Sequence, residues 1–158
     1  MGVVATLIVL VGLPGSGKTC YRRQALAYLP EEQVADDFHR DAYGDSPRTH
    51  HSKHYGRIFA ALRAGNDSMI SDIAFCDSRR LNNVLNAFEA DLPGQVDFDV
   101  RYFAKDLESC KTNINTRNDA GKDRDLKALD EFAPGYCPPQ TAMDVYAPIE
   151  VITRPPGL

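Results

Sequence analysis

A continuous, largely apolar run, Thr6–Val11, passes straight into the segment GLPGSGKT at residues 12–19. Few folds accommodate that pairing. The run fits a strand buried on both faces of a parallel sheet. Gly12, Gly17, Lys18 and Thr19 follow the spacing G-x-x-x-x-G-K-[ST]. In that pattern bare backbone N–H groups surround phosphates, the lysine reaches the β- and γ-phosphates, and the hydroxyl binds Mg²⁺. A helix expected to open at Gly17–Lys18 adds a dipole that favours anions. The candidate nucleotide-binding set is Gly12, Pro14, Gly15, Ser16, Gly17, Lys18, Thr19 and Cys20, with ATP and Mg²⁺ as cofactors and Thr19 as a metal ligand.

Downstream, the periodicity alternates between strand and helix. The first helix is expected to carry Tyr21, Ala25 and Leu29 on one face until Pro30 stops it. Gln33–Ala35 reads as a short second strand, Arg57–Ala64 as a helix closed by Gly65, and Ser68–Ile73 as a third strand. A helix over Ser78–Ala90 ends before Pro93. Val96, Phe98, Val100 and Tyr102 alternate with Asp97, Asp99 and Arg101, which predicts a strand with one wet face near a sheet edge. Asp106–Asn118 reads as helix, Asp119–Asp125 as a charged loop, and the proline-rich remainder as irregular, with one more strand at Ile149–Ile152. The expected fold is therefore α/β, a P-loop NTPase with a parallel sheet and helices on both faces. Ligand is expected at the carboxyl ends of the strands.

The chain of 158 residues is the size of one domain, read as a single kinase-type domain over 1–158 with a lid near 105–125 and a tail from about 133. No apolar run approaches the ~20 residues that span a bilayer. Val3–Val11 lacks the basic start and cleavage site of a signal peptide, so a cytoplasmic protein is expected. Cys20, Cys76, Cys110 and Cys137 are far apart and predict neither a zinc cage nor a disulfide framework. A net charge of −4 argues against wholesale coating of nucleic acid and leaves room for a local basic groove.

Four further stretches carry candidate chemistry. Asp36 and Asp37 follow the second strand; a carboxylate there can take the proton of an attacking hydroxyl, or Asp36 can cap a helix. Asp72 ends the third strand, where an acid can orient Mg²⁺ or serve as a helix N-cap. Residues 46–66 contain no acid but hold Arg48, Lys53, Arg57 and Arg63 with three histidines. They read either as a solvated face or as a basic wall for a polyanion, with stacking from Tyr43 and Tyr55. His50 and His54 stand at i,i+4, with no acid or cysteine nearby in sequence to complete a metal site. Lys111, Arg117, Lys122 and Arg124 read as surface charge or as a lid that brings a guanidinium onto the transferring phosphoryl group.

The order GLPGSGKT, DDFHR, SDIAFCDSRRLN, ESCKTNINTRN resembles the 5′-hydroxyl kinase domain of bacteriophage polynucleotide kinase, over roughly residues 5–125. The resemblance implies Asp36 as general base, Lys18 and Thr19 on phosphate and Mg²⁺, Asp72 as an active-site acid and Arg117 as the lid arginine. It implies DNA or another nucleic acid as acceptor, and the candidates on the acceptor side are Asp37, His39, Arg40 and Arg79, with Arg48 and Arg57 added from the basic stretch 46–66. The family places an arginine before its acidic pair and another at the position of His39; here Ala35 precedes the pair and Arg40 follows His39. The small stand-alone size is also similar to phage kinases that phosphorylate 5-hydroxymethyluracil in DNA. A small-metabolite kinase and a non-catalytic nucleotide switch are the competing readings.

Overall fold

The computed structural model describes residues 4–36, 38, 52–117 and 121–146. Its centre is a four-stranded parallel sheet of β1 (Ala5–Val11), β2 (Val34–Ala35), β3 (Ser68–Ser71) and β4 (Val96–Tyr102), in the order β2-β3-β1-β4. β1 lies between β3, with Val9 opposite Ile70, and β4, with Val9 opposite Val100. That central place explains its apolar run. Ala5, Leu7, Val9 and Val11 enter a large core on one face, and Ile8 and Leu10 enter a smaller core on the other.

Helices cover both faces, as the alternation predicts. α1 (Lys18–Ala25) and the turn after it bring Tyr21, Leu26 and Leu29 to the smaller core. α2 (Ser52–Arg63), α3 (Ser78–Asp91), α4 (Leu107–Thr116) and α5 (Lys122–Phe132) supply Ile58, Leu62, Leu81, Val84, Phe88, Ile114 and Leu129 to the larger one. Among the described strands β4 lies at the edge, and Phe98, Val100 and Tyr102 face the large core. On its wet face Arg101 donates to Asp99 at 2.8 Å and to the Tyr21 hydroxyl at 2.8 Å.

From β1 the chain runs outward to β2, returns to β3, then crosses β1 to reach β4. The connections leaving β1 and β3 thus diverge, which opens a crevice at the carboxyl ends of those two strands. The loop after β1 and Asp72 after β3 flank it.

Several boundaries differ from expectation for local reasons. α1 ends at Ala25, and a turn tucks Leu26 and Leu29 inward before Pro30, whose ring disfavours helix at the residue preceding it. α2 begins at Ser52 and is closed by Gly65 at φ +85°, with Asn66 N–H donating to the Ala61 carbonyl at 2.9 Å. β3 stops at Ser71 because Asp72 caps a 3₁₀ turn over Ile73–Cys76. The expected charged loop is largely helix: α5 starts at Lys122, with Asp123 and Asp125 in its first turn beside the positive end of the helix dipole. The strand expected at Ile149–Ile152 falls outside the described residues. Among those described, no helix is long and apolar enough to cross a membrane. All four cysteines are unpaired, and burial pushes the Cys76 thiol up to about 12 and the Cys110 thiol up to about 11.

Candidate active site

The phosphate loop is shaped by close packing as well as by sequence. Gly15 and Gly17 have φ of +81° and +89°, a region that side chains disfavour. A Cβ on Gly15 would stand 2.4 Å from the Cys110 carbonyl of α4, and one on Gly17 2.0 Å from the Tyr146 carbonyl. Ser16 is fully buried, and its N–H donates to the Leu13 carbonyl at 3.0 Å. Lys18 Nζ bends back over the loop, donating to the carbonyls of Gly12 at 2.6 Å and Leu13 at 3.0 Å and to Ser16 Oγ at 3.3 Å.

Two supports come from residues that sequence reasoning did not single out. Asn113 on α4 donates through Nδ2 to the Gly15 carbonyl at 2.9 Å and to the Tyr146 carbonyl at 3.3 Å. Tyr146 N–H donates to the Ser16 carbonyl at 2.9 Å, and its ring meets Tyr21 edge-on at 5.8 Å. The tail that carries Tyr146 is tied down by a parallel bridge between Phe103 and Met143 and by buried Tyr136, whose hydroxyl donates to the Val11 carbonyl at 3.2 Å. The tail therefore belongs to the site's wall.

A cavity of about 650 Å³ stands in front of the loop. Pro14, Gly15, Gly17, Lys18, Thr19 and Cys20 line it from the loop and Asp72 from the end of β3, and Arg117 and Arg124 line it as well. Arg23, Asn113, Asp125 and Tyr146 complete its polar wall. Asp72 is buried, and its Oδ1 accepts the Ala74 N–H at 2.8 Å. It thus caps the 3₁₀ turn and lines the cavity, so its two readings are compatible. Arg117 ends α4 and donates to Asp125 on α5.

Asp36 sits one strand away. Ser71 Oγ donates to its Oδ1 at 3.2 Å, and Arg22 Nε lies 4.0 Å from its Oδ2. Arg22, only 13% exposed, also binds Glu31 at 2.7 Å. Phe38, fully buried against Phe75 and Phe88, anchors the turn that follows β2, and its N–H donates to the Ser71 carbonyl at 3.0 Å. Asp36 is thereby held at the carboxyl end of the sheet, outside the cavity lining.

The expected acceptor wall is placed otherwise where the chain is described. Arg57 Nη1 reaches the carbonyls of Glu31, Glu32 and Val34 at 3.1, 3.0 and 2.8 Å. Its guanidinium therefore ties α2 to the segment entering β2. Tyr55 is buried, stacked on Phe88 at 4.5 Å with its hydroxyl on Asp91 at 2.5 Å, which removes it as a stacking platform for a base. Arg79 lies in the first turn of α3, its N–H on the Asp77 carboxylate at 3.0 Å, and is not among the residues lining the cavity. Asp37, His39, Arg40, Tyr43, Arg48 and His50 lie outside the described residues. Arg57→Ala is expected to lower stability by about 1–2 kcal/mol through loss of charge-assisted bonds to carbonyls. Urea unfolding checks it, and unchanged stability would return Arg57 to consideration as an acceptor contact.

Comparison with known proteins agrees with this architecture. A family model described as an AAA domain matches residues 7–139. An uncharacterized protein of Acanthamoeba polyphaga mimivirus is 29% identical over 130 residues, covering 82% of this chain and 85% of that protein. A gluconokinase structure from Sinorhizobium meliloti superposes with a TM-score of 0.54 at 16% identity, over 97% of this chain and 90% of that one. At that identity the likeness concerns the fold.

Proposed function

Since the chain belongs to this AAA domain family, whose P-loop kinase-like domain supports ATP-dependent phosphotransfer in general, we propose that it transfers the γ-phosphate of ATP to a hydroxyl on nucleic acid. The observation that carries the phosphotransfer reading is the cavity itself. Lys18 and the positive-φ Gly15 and Gly17 line it together with Arg23, Arg117 and Arg124, a set suited to a polyanion. The Thr19 hydroxyl and Asp72 line the same cavity and would hold Mg²⁺, which neutralises charge on the β- and γ-phosphates when bound. A hydroxyl, a single carboxylate and the phosphates themselves suit an ion that keeps several waters. Lys18 would share that neutralisation, Arg117 would steady the transferring group, and Asp36 would take the acceptor's proton.

The order of motifs around Asp36, Asp72 and Arg117 supports a nucleic-acid acceptor, either the hydroxymethyl group of 5-hydroxymethyluracil or a polynucleotide 5′-OH. A base-borne hydroxymethyl group in duplex DNA requires that base to leave the stack or to be offered in single strand. The net charge of −4, with Arg57 engaged in the fold, favours the second reading, a small-metabolite acceptor.

ATP consumption measured side by side on 5-hydroxymethyluracil DNA, 5′-OH oligonucleotides, nucleosides and sugars separates these readings. Turnover on one of the two nucleic acids is the expected result: on the modified DNA with none on 5′-OH ends for a hydroxymethyl acceptor, and on 5′-OH ends for an end-directed kinase. Turnover on nucleosides or sugars alone would remove DNA as acceptor, and ATP binding without turnover on any hydroxyl would leave a nucleotide switch.

A further inference from the structure

Two arginines and one carboxylate share a wall of the phosphate-loop cavity. Arg117 Nη2 donates to Asp125 Oδ2, and Arg124 Nε lies 3.5 Å from Asp125 Oδ1. Each oxygen thus faces its own guanidinium, and all three residues line the cavity with Lys18 and Arg23. Among the described residues of that lining, Asp72 and Asp125 are the acids. A surface for phosphate gains from undiluted positive charge, so an acid among these cations works against it. The helix dipole does not demand this particular residue, because Asp123 already supplies a carboxylate to the first turn of α5. A carboxylate with one guanidinium per oxygen offers the pair the same planar acceptor geometry as two phosphate oxygens.

We propose that Asp125 is a positioning residue, an internal stand-in for phosphate that holds Arg117 and Arg124 at the cavity wall and yields them to the phosphates of a nucleotide. The proposal rests on the phosphate-loop reading above. The side chains of Arg117 and Asp125 are 38% and 20% exposed, which keeps their attraction moderate and exchangeable. The exchange subtracts from nucleotide affinity whatever the carboxylate contributes, in return for arginines already gathered at the cavity. Removing only the charge of Asp125 should therefore tighten nucleotide binding, whereas a purely structural acid would leave it unchanged or weaken it.

The test is titration of MgATP into the full-length chain by calorimetry, comparing wild type with Asp125→Asn, Asp125→Ser and Asp125→Glu. Asp125→Asn should bind MgATP about two- to fivefold more tightly at low ionic strength, with the gain shrinking as salt screens the charges. Asp125→Glu should resemble wild type. Arg117→Ala added to Asp125→Asn should remove most of the gain, and adenosine, which has no phosphates, should show none. Should the asparagine variant fail to fold, the serine variant decides. MgATP affinity equal to or weaker than wild type in the folded charge-removing variant would overturn the exchange. A wild-type protein that binds no ATP would overturn the phosphate-loop reading and the exchange together, while binding that needs Lys18 and ignores Asp125 would overturn the exchange alone.

Discussion

Lys18→Ala is expected to abolish phosphoryl transfer while the protein stays folded. Lys18 opens α1 with its Nζ drawn back onto the loop carbonyls of Gly12 and Leu13, so one short rotation of a flexible chain can redirect its charge to a phosphate in front of the loop. Losing a charged group that acts on developing transition-state charge typically costs about 3–4 kcal/mol, or roughly 10²–10³ in rate. The structural cost is smaller. Alanine removes two carbonyl contacts and one to Ser16 Oγ, about 1–2 kcal/mol in all, and adds no bulk to the loop. Turnover and thermal unfolding should therefore separate, with a large fall in the first and a small shift in the second. Near-wild-type turnover would remove the phosphate-loop reading, and a variant that cannot fold would move Lys18 from chemistry to architecture.

Such a separation is foreseeable from sequence because the features behind it are local. A buried strand, a glycine turn and a helix start occur within residues 5–25, where apolar run and motif spacing act on neighbouring residues. The wet face of β4 was equally legible, since strict alternation needs no knowledge of partners. The remaining features depend on distant groups. Arg57 reads as surface charge until the carbonyls of residues 31–34 are brought to it by the β2–β3 pairing. Tyr55 reads as an exposed aromatic until Phe88 and Asp91, more than thirty positions on, cover it. Residues 119–125 read as loop because glycine and charge dominate them, yet Asp123 and Asp125 suit the start of a helix whose apolar contacts, Leu126 and Leu129, come later.

The site divides along the same line. Gly15, Gly17 and Lys18 are legible as a motif, but no motif shows that Asn113 and Tyr146 brace the loop from 98 and 130 positions away. The proline-rich tail is irregular in sequence, yet Tyr136 in it fastens the chain to the ends of β1 and β4 through the carbonyls of Val11 and Phe103. One signal is present: a tyrosine within a proline-rich stretch implies a place to bury its ring.

Asp36→Asn is the sharpest probe of what happens beyond nucleotide binding. An amide keeps the shape of the carboxylate and can still accept the Ser71 hydroxyl at the position of Oδ1. Arg22 keeps Glu31 as its nearer partner at 2.7 Å, against 4.0 Å to Asp36, so the substitution leaves little uncompensated charge. Stability should hardly move. An amide cannot accept the acceptor's proton, and removal of a general base typically costs about 10²–10⁴ in rate. The phosphate loop and its cavity do not include Asp36, so ATP affinity should stay near that of wild type. Single-turnover transfer from labelled ATP, set beside ATP titration of the same variant, reads both quantities. Transfer within about tenfold of wild type would make Asp36 a structural acid at the end of β2, held for the sake of Ser71 and Arg22, and would direct the search for the base to Asp37. A parallel fall in ATP affinity would instead mean that the carboxylate acts through Arg22 on α1, the helix that begins at the phosphate loop.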